Sequence, residues 1–231
     1  MPNKICCAIL VAAGSSTRMA IHMSKQFIPL LNIPAIAHTL HAFEKADCIQ
    51  EIVVVCRNED ISELWDTIRT YHIHKVTAVV PGGETRQQSV AAGIAAASVQ
   101  AAYFAIHDGA RPLIQPQDID AVIQDAFLHK ASALAVPVKD TIKIIDKSGF
   151  VVSTPDRSSL WAVQTPQVFE RNLYLTAMKQ AERNSADYTD DCQLVEHIGI
   201  PIHLCPGDYT NLKLTTQEDI AIAEAILEKR K

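Results

Sequence analysis

The residues best placed to do chemistry are a small-residue loop and the cations beside it. The apolar run from Ile5 to Ala13 ends at Gly14, Ser15, Ser16 and Thr17 follow, and then Arg18 and Lys25. Small residues let backbone N–H groups approach anionic oxygen closely, and cations supply the charge that phosphate requires. Ala12, Ala13 and Gly14 therefore read as the end of a buried strand opening into a nucleotide-triphosphate site. Read alone, the stretch also fits a strand and turn with solvated cations. A secretory signal would need a longer positive region than Lys4, and the run is too short for a membrane span. Neither G-x-G-x-x-G nor G-x-x-x-x-G-K-[ST] occurs, which argues against a hydride-transferring dinucleotide enzyme and against a P-loop.

Two further segments carry similar chemistry. Pro81-Gly82-Gly83 ends a strand-like run, and His107 to Pro112 reads HDGARP, with Asp108 at its strand end. A triphosphate carries about four negative charges near neutral pH, so it needs backbone donors, cations and usually Mg2+. Lys213, in an extended segment between Leu212 and Leu214, could return beside the first strand, although a lone lysine is more often a surface charge. Asp108 could hold a metal, orient a substrate hydroxyl or cap the next turn. No nucleophile–histidine arrangement assembles, and the nine histidines show no ligand spacing. Phosphoryl-type transfer needs neither, because positioning and charge stabilisation can do most of the work.

The elements that must position these residues alternate. Strands are expected at 5–13, 51–56, 76–80, 103–106, 133–138 and 202–204, and helices at 34–45, 59–71, 85–97, 117–129, 171–183, 189–197 and 217–228. Short extended pieces are expected at 27–31 and 211–214. This order implies an α/β, mostly parallel sheet with right-handed crossovers and helices on both faces. Gly14, Gly83 and Asp108 each follow a strand at the carboxyl end, where such sheets bind ligands. Thr141 to Ile145 and Phe150 to Ser153 alternate around Lys147-Ser148-Gly149, a β-hairpin arm within 139–161. Two strands need something to pack on, either a second subunit or the arm's own domain. Gln164 to Gln167 reads as a return segment, and Asp190 and Asp191 as helix-capping residues.

The totals set limits. With 231 residues, 48% hydrophobic, the chain can bury a core as one domain, 1–231. A net charge of −5 without a basic run argues against nucleic acid and anionic membranes as partners. Six cysteines without a C-x-x-C pair read as buried reduced thiols in a cytoplasmic protein and give no support to a zinc site.

Taken together, the segments AAGSSTRM (12–19), SKQF (24–27), PGGETRQQSV (81–90), HDGARP (107–112), PVKDTIK (137–143), DR (156–157), QTPQ (164–167) and Asn211-Leu212-Lys213 resemble the 2-C-methyl-D-erythritol 4-phosphate cytidylyltransferase family nearly end to end. The resemblance implies a Rossmann-like nucleotidyltransferase domain that transfers CMP from CTP to methylerythritol phosphate. It implies Arg18, Lys25 and Lys213 as the catalytic set, and Ala12, Ala13, Gly14, Gly83, Glu84 and Ser89 around the nucleotide. Asp108, Arg111, Thr141, Arg157 and Thr165 fall at acceptor positions, no side chain is a dedicated metal ligand, and Mg2+ is held mainly by CTP phosphates. It also implies a homodimer in which the arm completes the neighbour's site. Ser16, Ser24, Gly109 and Glu84 depart from the family's frequent glycine, proline, alanine and aspartate. Ribitol-5-phosphate cytidylyltransferases share several motifs but tend to read AGG where this chain reads AAG. A non-catalytic nucleotide-binding regulatory protein would bind CTP without acceptor-dependent pyrophosphate release.

Overall fold

A computed structural model describes residues 4–14, 24–184 and 188–231. Strand β1 (Cys6–Ala12) leads to a small hairpin, β2 (Pro29–Leu30) and β3 (Ile33–Pro34). Its turn holds Leu31 and Asn32 at φ 51° and 67°, the left-handed geometry of a tight hairpin. There follow α1 (Ala35–Lys45), β4 (Glu51–Cys56), α2 (Ile61–Thr70), β5 (Val76–Pro81), α3 (Arg86–Ala96), β6 (Tyr103–Asp108), α4 (Pro116–His129) and β7 (Ala131–Pro137). The hairpin β8 (Ile144–Ile145) and β9 (Val151–Ser153) precedes β10 (Trp161–Glu170), α5 (Arg171–Asn184), α6 (Asp191–Glu196), β11 (His203–Pro206) and α7 (Glu218–Lys229).

Seven strands form one sheet in the order β11-β7-β10-β6-β1-β4-β5. Every neighbouring pair is parallel except those of β10, which runs antiparallel to both β6 and β7. The core lies on both faces of β1, whose residues Cys6 to Leu10 are fully buried, as the continuous apolar run requires. Ala8 and Leu10 pack with Leu40 and Phe43 of α1 and Val122 of α4, while Cys7 and Ile9 pack with Val90 of α3 and Tyr174 of α5.

The alternating strands and helices form where the periodicity places them. The largest difference is β10: the segment around Gln164 to Gln167 is not a mere return but part of a ten-residue strand inside the sheet. Pro166 cannot donate to a ladder, and the pairing with β7 is irregular between Val163 and Gln167. The buried polar side chains are each employed. The Gln167 amide oxygen accepts from the N–H groups of Asp191 and Cys192, at 3.1 Å each. Asp190 caps α6 as expected, accepting from Gln193 N–H at 2.9 Å. Asp191 does more than cap: it is buried against Arg86 (2.6 Å) and the Tyr174 hydroxyl (2.5 Å). Pro34 precedes α1 rather than entering its first turn, and a 3-10 turn at Lys25–Phe27 occupies the start of the expected extended piece.

The arm hairpin pairs apart from the main sheet and presents Ile144, Ile145, Phe150, Val151 and Val152 to solvent at 50–73% exposure. All six cysteines are free, and five are buried. Burial pushes the thiols up, Cys205 to about 11 and Cys56 to about 12. Among the described residues no helix is long and apolar enough to cross a membrane.

Candidate active site

β1, β5 and β6 end on the same side of the sheet. Off their carboxyl ends lies a cavity of about 440 Å3, within the usual range for a small-molecule site. Ala12, Ala13 and Gly14 line one wall, Gly83, Glu84 and Ser89 another, and Lys25, Asp108 and Lys213 complete the lining together with Arg86. The loops after β1 and β5 touch directly: a Cβ on Gly82 would lie 2.5 Å from Cβ of Ala13 and 2.7 Å from Oγ of Ser89. Only glycine allows that approach. Ser89 Oγ accepts from Gly83 N–H (3.1 Å) and donates to the Thr85 carbonyl (3.0 Å). Thr85 and Gln88 form a capping box at the start of α3. The positive end of α3 thus borders the cavity, which suits an anionic ligand.

Lys25 is carried by a turn with its own anchor. Ser24 Oγ donates to both carboxylate oxygens of Asp60 (3.1 Å each), and Gln26 Nε2 donates to Oδ2 (2.7 Å). Arg57 pairs with the same buried carboxylate at 2.8 Å. Ser24 therefore has a positioning role that a proline could not supply.

Asp108, at the end of β6, is the electrostatic centre. Its Oδ2 lies 2.8 Å from Lys213 Nζ and 3.9 Å from Arg111 Nε, and its Oδ1 lies 3.7 Å from Arg86. Burial works against its ionisation, but the charges of Lys213, then Arg86 and Arg111, hold the carboxyl below its ordinary range. Arg86 also pairs with Asp191, so three cations among two carboxylates leave a net positive charge for a polyanion, within a chain whose net charge is negative.

A hydrogen-bonded layer fixes Asp108 from behind. Its N–H donates to Thr165 Oγ1 at 3.1 Å, and Thr165 Oγ1 lies 3.0 Å from His107 Nδ1. His107 Nε2 lies 3.3 Å from the Arg111 carbonyl. One tautomer satisfies every group: Nε2–H donates to Arg111, and Nδ1 accepts from the Thr165 hydroxyl. Burial pushes His107 down to about 4, which keeps that imidazole neutral. Arg111 Nη1 donates to the Asn211 carbonyl (2.7 Å), and Asn211 Nδ2 donates to Gln164 Oε1 (3.1 Å) and the Thr165 carbonyl (3.0 Å). With Leu214 N–H donating to Ala110 (2.8 Å), these bonds bring Lys213 to the cavity from far along the chain.

Most of the candidate residues thus converge: Ala12, Ala13, Gly14, Lys25, Gly83, Glu84, Ser89, Asp108 and Lys213 share one cavity. Arg111 and Thr165 stand in the layer behind Asp108. Thr141 and Arg157 lie on the exposed arm, where Arg157 Nη1 donates to the Lys139 carbonyl (3.0 Å), and neither lines the cavity of its own chain. Arg18 and Ser16 lie outside the described residues. Gly109 packs on the end of β1, where a Cβ would sit 3.0 Å from that of Ala12. Among the described charged residues that line the cavity, Arg86 is the one that sequence reasoning missed. Its signal was its place at the first helical position after PGGET, bordering the same strand end as Gly83.

The arrangement can hold a polyanion between backbone donors and fixed cations beside an oriented carboxylate. Comparison with known proteins agrees. The family model for 2-C-methyl-D-erythritol 4-phosphate cytidylyltransferase matches residues 6–229. A relative of that name from Pelotomaculum thermopropionicum is 42% identical over 224 residues, covering 96% of this chain and 94% of the relative. Another from Desulforamulus reducens is 43% identical over 224 residues, covering 96% of each. The crystal structure of 4-diphosphocytidyl-2C-methyl-D-erythritol synthase from Anaerococcus prevotii superposes with a TM-score of 0.87 at 32% identity, covering 98% of this chain and 97% of that one. With a family model spanning nearly its whole length and relatives above 40% identity, the chain belongs to the 2-C-methyl-D-erythritol 4-phosphate cytidylyltransferase family.

Proposed function

We propose that the cavity transfers CMP from CTP to 2-C-methyl-D-erythritol 4-phosphate, giving 4-diphosphocytidyl-2-C-methyl-D-erythritol and pyrophosphate, the cytidylyl step of non-mevalonate isoprenoid synthesis. An oxygen of the acceptor's phosphate attacks the α-phosphorus of CTP, the bond from the α-phosphorus to the bridging oxygen breaks, and pyrophosphate leaves with that oxygen. The nucleophile is already ionised, so no general base is required. The observation that carries the reading is the convergence of Lys25, Asp108 and Lys213 on one cavity at three strand ends.

Within it, the small-residue wall at Ala12 to Gly14 and Lys25 hold the triphosphate, and Gly83, Glu84 and Ser89 enclose cytidine; by the family resemblance Arg18, which lies outside the described residues, belongs to the triphosphate set. Lys213 neutralises charge at the α-phosphate. Asp108 orients the acceptor, supported by Arg111 and Thr165. A bound Mg2+ would supply further charge neutralisation. Asp108 is engaged by cations, so Glu84 is the cavity carboxylate that, with substrate oxygens, would suit a hard cation.

The acceptor site is completed by Thr141 and Arg157 from the arm of a second copy. Support comes from the arm's apolar side chains, such as Phe150 at 73% exposure, which a partner would cover. The chain acts as one cytidylyltransferase domain, and the buried unpaired thiols fit a reducing cytoplasm. The mechanism is tested with acceptor carrying 18O in its non-bridging phosphate oxygens. All of the label should remain in the cytidylyl product, and label in pyrophosphate would contradict the attack at the α-phosphorus.

A further inference from the structure

Asp125, His129 and His203 form a cluster at the amino ends of β7 and β11, on the side of the sheet opposite the cavity. Asp125 and His129 sit one turn apart on α4, and β11 delivers His203 through its register with Ser132 of β7. The imidazole rings stack, with centroids 4.0 Å apart and planes 17° from parallel, so a shared ion requires one ring to turn until both in-plane nitrogens face it. Their ligand atoms and the Asp125 carboxylate all lie within 4.8 Å of one another.

Two distances distinguish this cluster from a simple ion pair. His203 Nδ1 lies 2.6 Å from Asp125 Oδ2, a hydrogen bond. His129 Nε2 lies 3.8 Å from Oδ1, too long for one. Two ligands at zinc-bond lengths of about 2.1 Å and a tetrahedral angle stand about 3.4 Å apart. The open side of the cluster, at 3.8 Å, is therefore close to the span of a metal's ligand pair, and the closed side, at 2.6 Å, must open by about 0.8 Å. The carboxylate is also braced as metal-binding carboxylates are: Ser132 Oγ donates to Oδ2 at 2.5 Å. The rings are half exposed, which leaves water free to complete the coordination.

We propose that Asp125, His129 and His203 bind one transition-metal ion of the zinc class, separate from the Mg2+ of the reaction, and that the ion clamps the C-terminal end of α4 to the edge strand β11. Imidazole nitrogen selects such ions over Mg2+, which prefers oxygen. The clamp would join residues 78 positions apart and hold an outer strand that pairs only with β7.

The test uses untagged, full-length protein dialysed against Zn2+ in excess Mg2+. One equivalent of zinc should bind, Co2+ should give the visible absorption of a tetrahedral site, and saturating zinc should raise Tm by roughly 5–10 °C. His203→Asn and His129→Gln should each weaken binding by roughly 10–100-fold while leaving cytidylyl transfer unchanged. Circular dichroism confirms that each variant is folded. No saturable binding, or zinc binding and a Tm shift that survive both histidine substitutions, would overturn the proposal. Displacement of the zinc by Mg2+ would do the same.

Discussion

Lys213 places its ammonium 2.8 Å from Asp108 Oδ2, although 105 residues separate them. The pair sits where the loop after β6 meets the segment following β11, and half of the lysine side chain remains open to the cavity. Lys213 is thus oriented before any ligand arrives, and a triphosphate would meet a fixed charge rather than a flexible one.

Lys213→Ala should lower kcat by about 100-fold or more, the scale seen when a preorganised donor to the reacting centre is removed. Steady-state kinetics with thermal unfolding as the control checks it. Near-normal turnover would remove Lys213 from the reaction.

Arg86 neutralises the buried Asp191, whose other partner is the Tyr174 hydroxyl. Arg86→Ala should destabilise the fold by about 3 kcal/mol, because it strands a buried charge. Asp191→Asn in the Arg86→Ala background should restore part of that loss. Urea unfolding of the four proteins of this double-mutant cycle measures the coupling.

His107 sets a pH dependence. Its pKa is lowered from about 6.5 when unfolded to about 4 when folded, so between those values the unfolded chain binds more protons. Its contribution to stability is fully present above about pH 6.5 and is lost progressively as pH falls toward 4. The loss is roughly 3 kcal/mol. Asp108, held below its ordinary carboxylate range, loses its contribution only as pH falls through its depressed pKa. His107→Gln should therefore be less stable than the natural protein at pH 7.5 but show a shallower decline between pH 6.5 and 4.5. Parallel declines would refute the assignment.

Shared sites predict complementation. Lys213→Ala and Arg157→Ala proteins should each be nearly inactive with methylerythritol phosphate. Half of the dimers in an equal, re-equilibrated mixture contain one of each, and one of their two sites is intact. The mixture should recover about a quarter of full activity. No recovery would remove the arm from the neighbour's site.

The elements were legible where one period ruled, as in the apolar run of β1 or EIVVVC of β4. β10 was not, because Gln164, Thr165, Pro166 and Gln167 look like a loop. Their burial is explained only by partners remote in sequence, such as His107, Asp190 and Asn211. The glycine and aspartate ends of β1, β5 and β6 were legible as a shared site because parallel topology aligns them. Arg86 was hidden, and so were the contacts that join His107, Thr165 and Asn211 behind Asp108, since folding creates them; the family resemblance had named Thr165 but not these partners. His203 joined Asp125 for the same reason: strand register, not spacing, brought them together.

The central claim is tested most directly by pyrophosphate release from CTP, measured with no acceptor, with 2-C-methyl-D-erythritol 4-phosphate and with ribitol 5-phosphate. Release should depend on acceptor and be fastest with methylerythritol phosphate. Faster turnover of ribitol 5-phosphate, or CTP binding with no acceptor-dependent release, would contradict it.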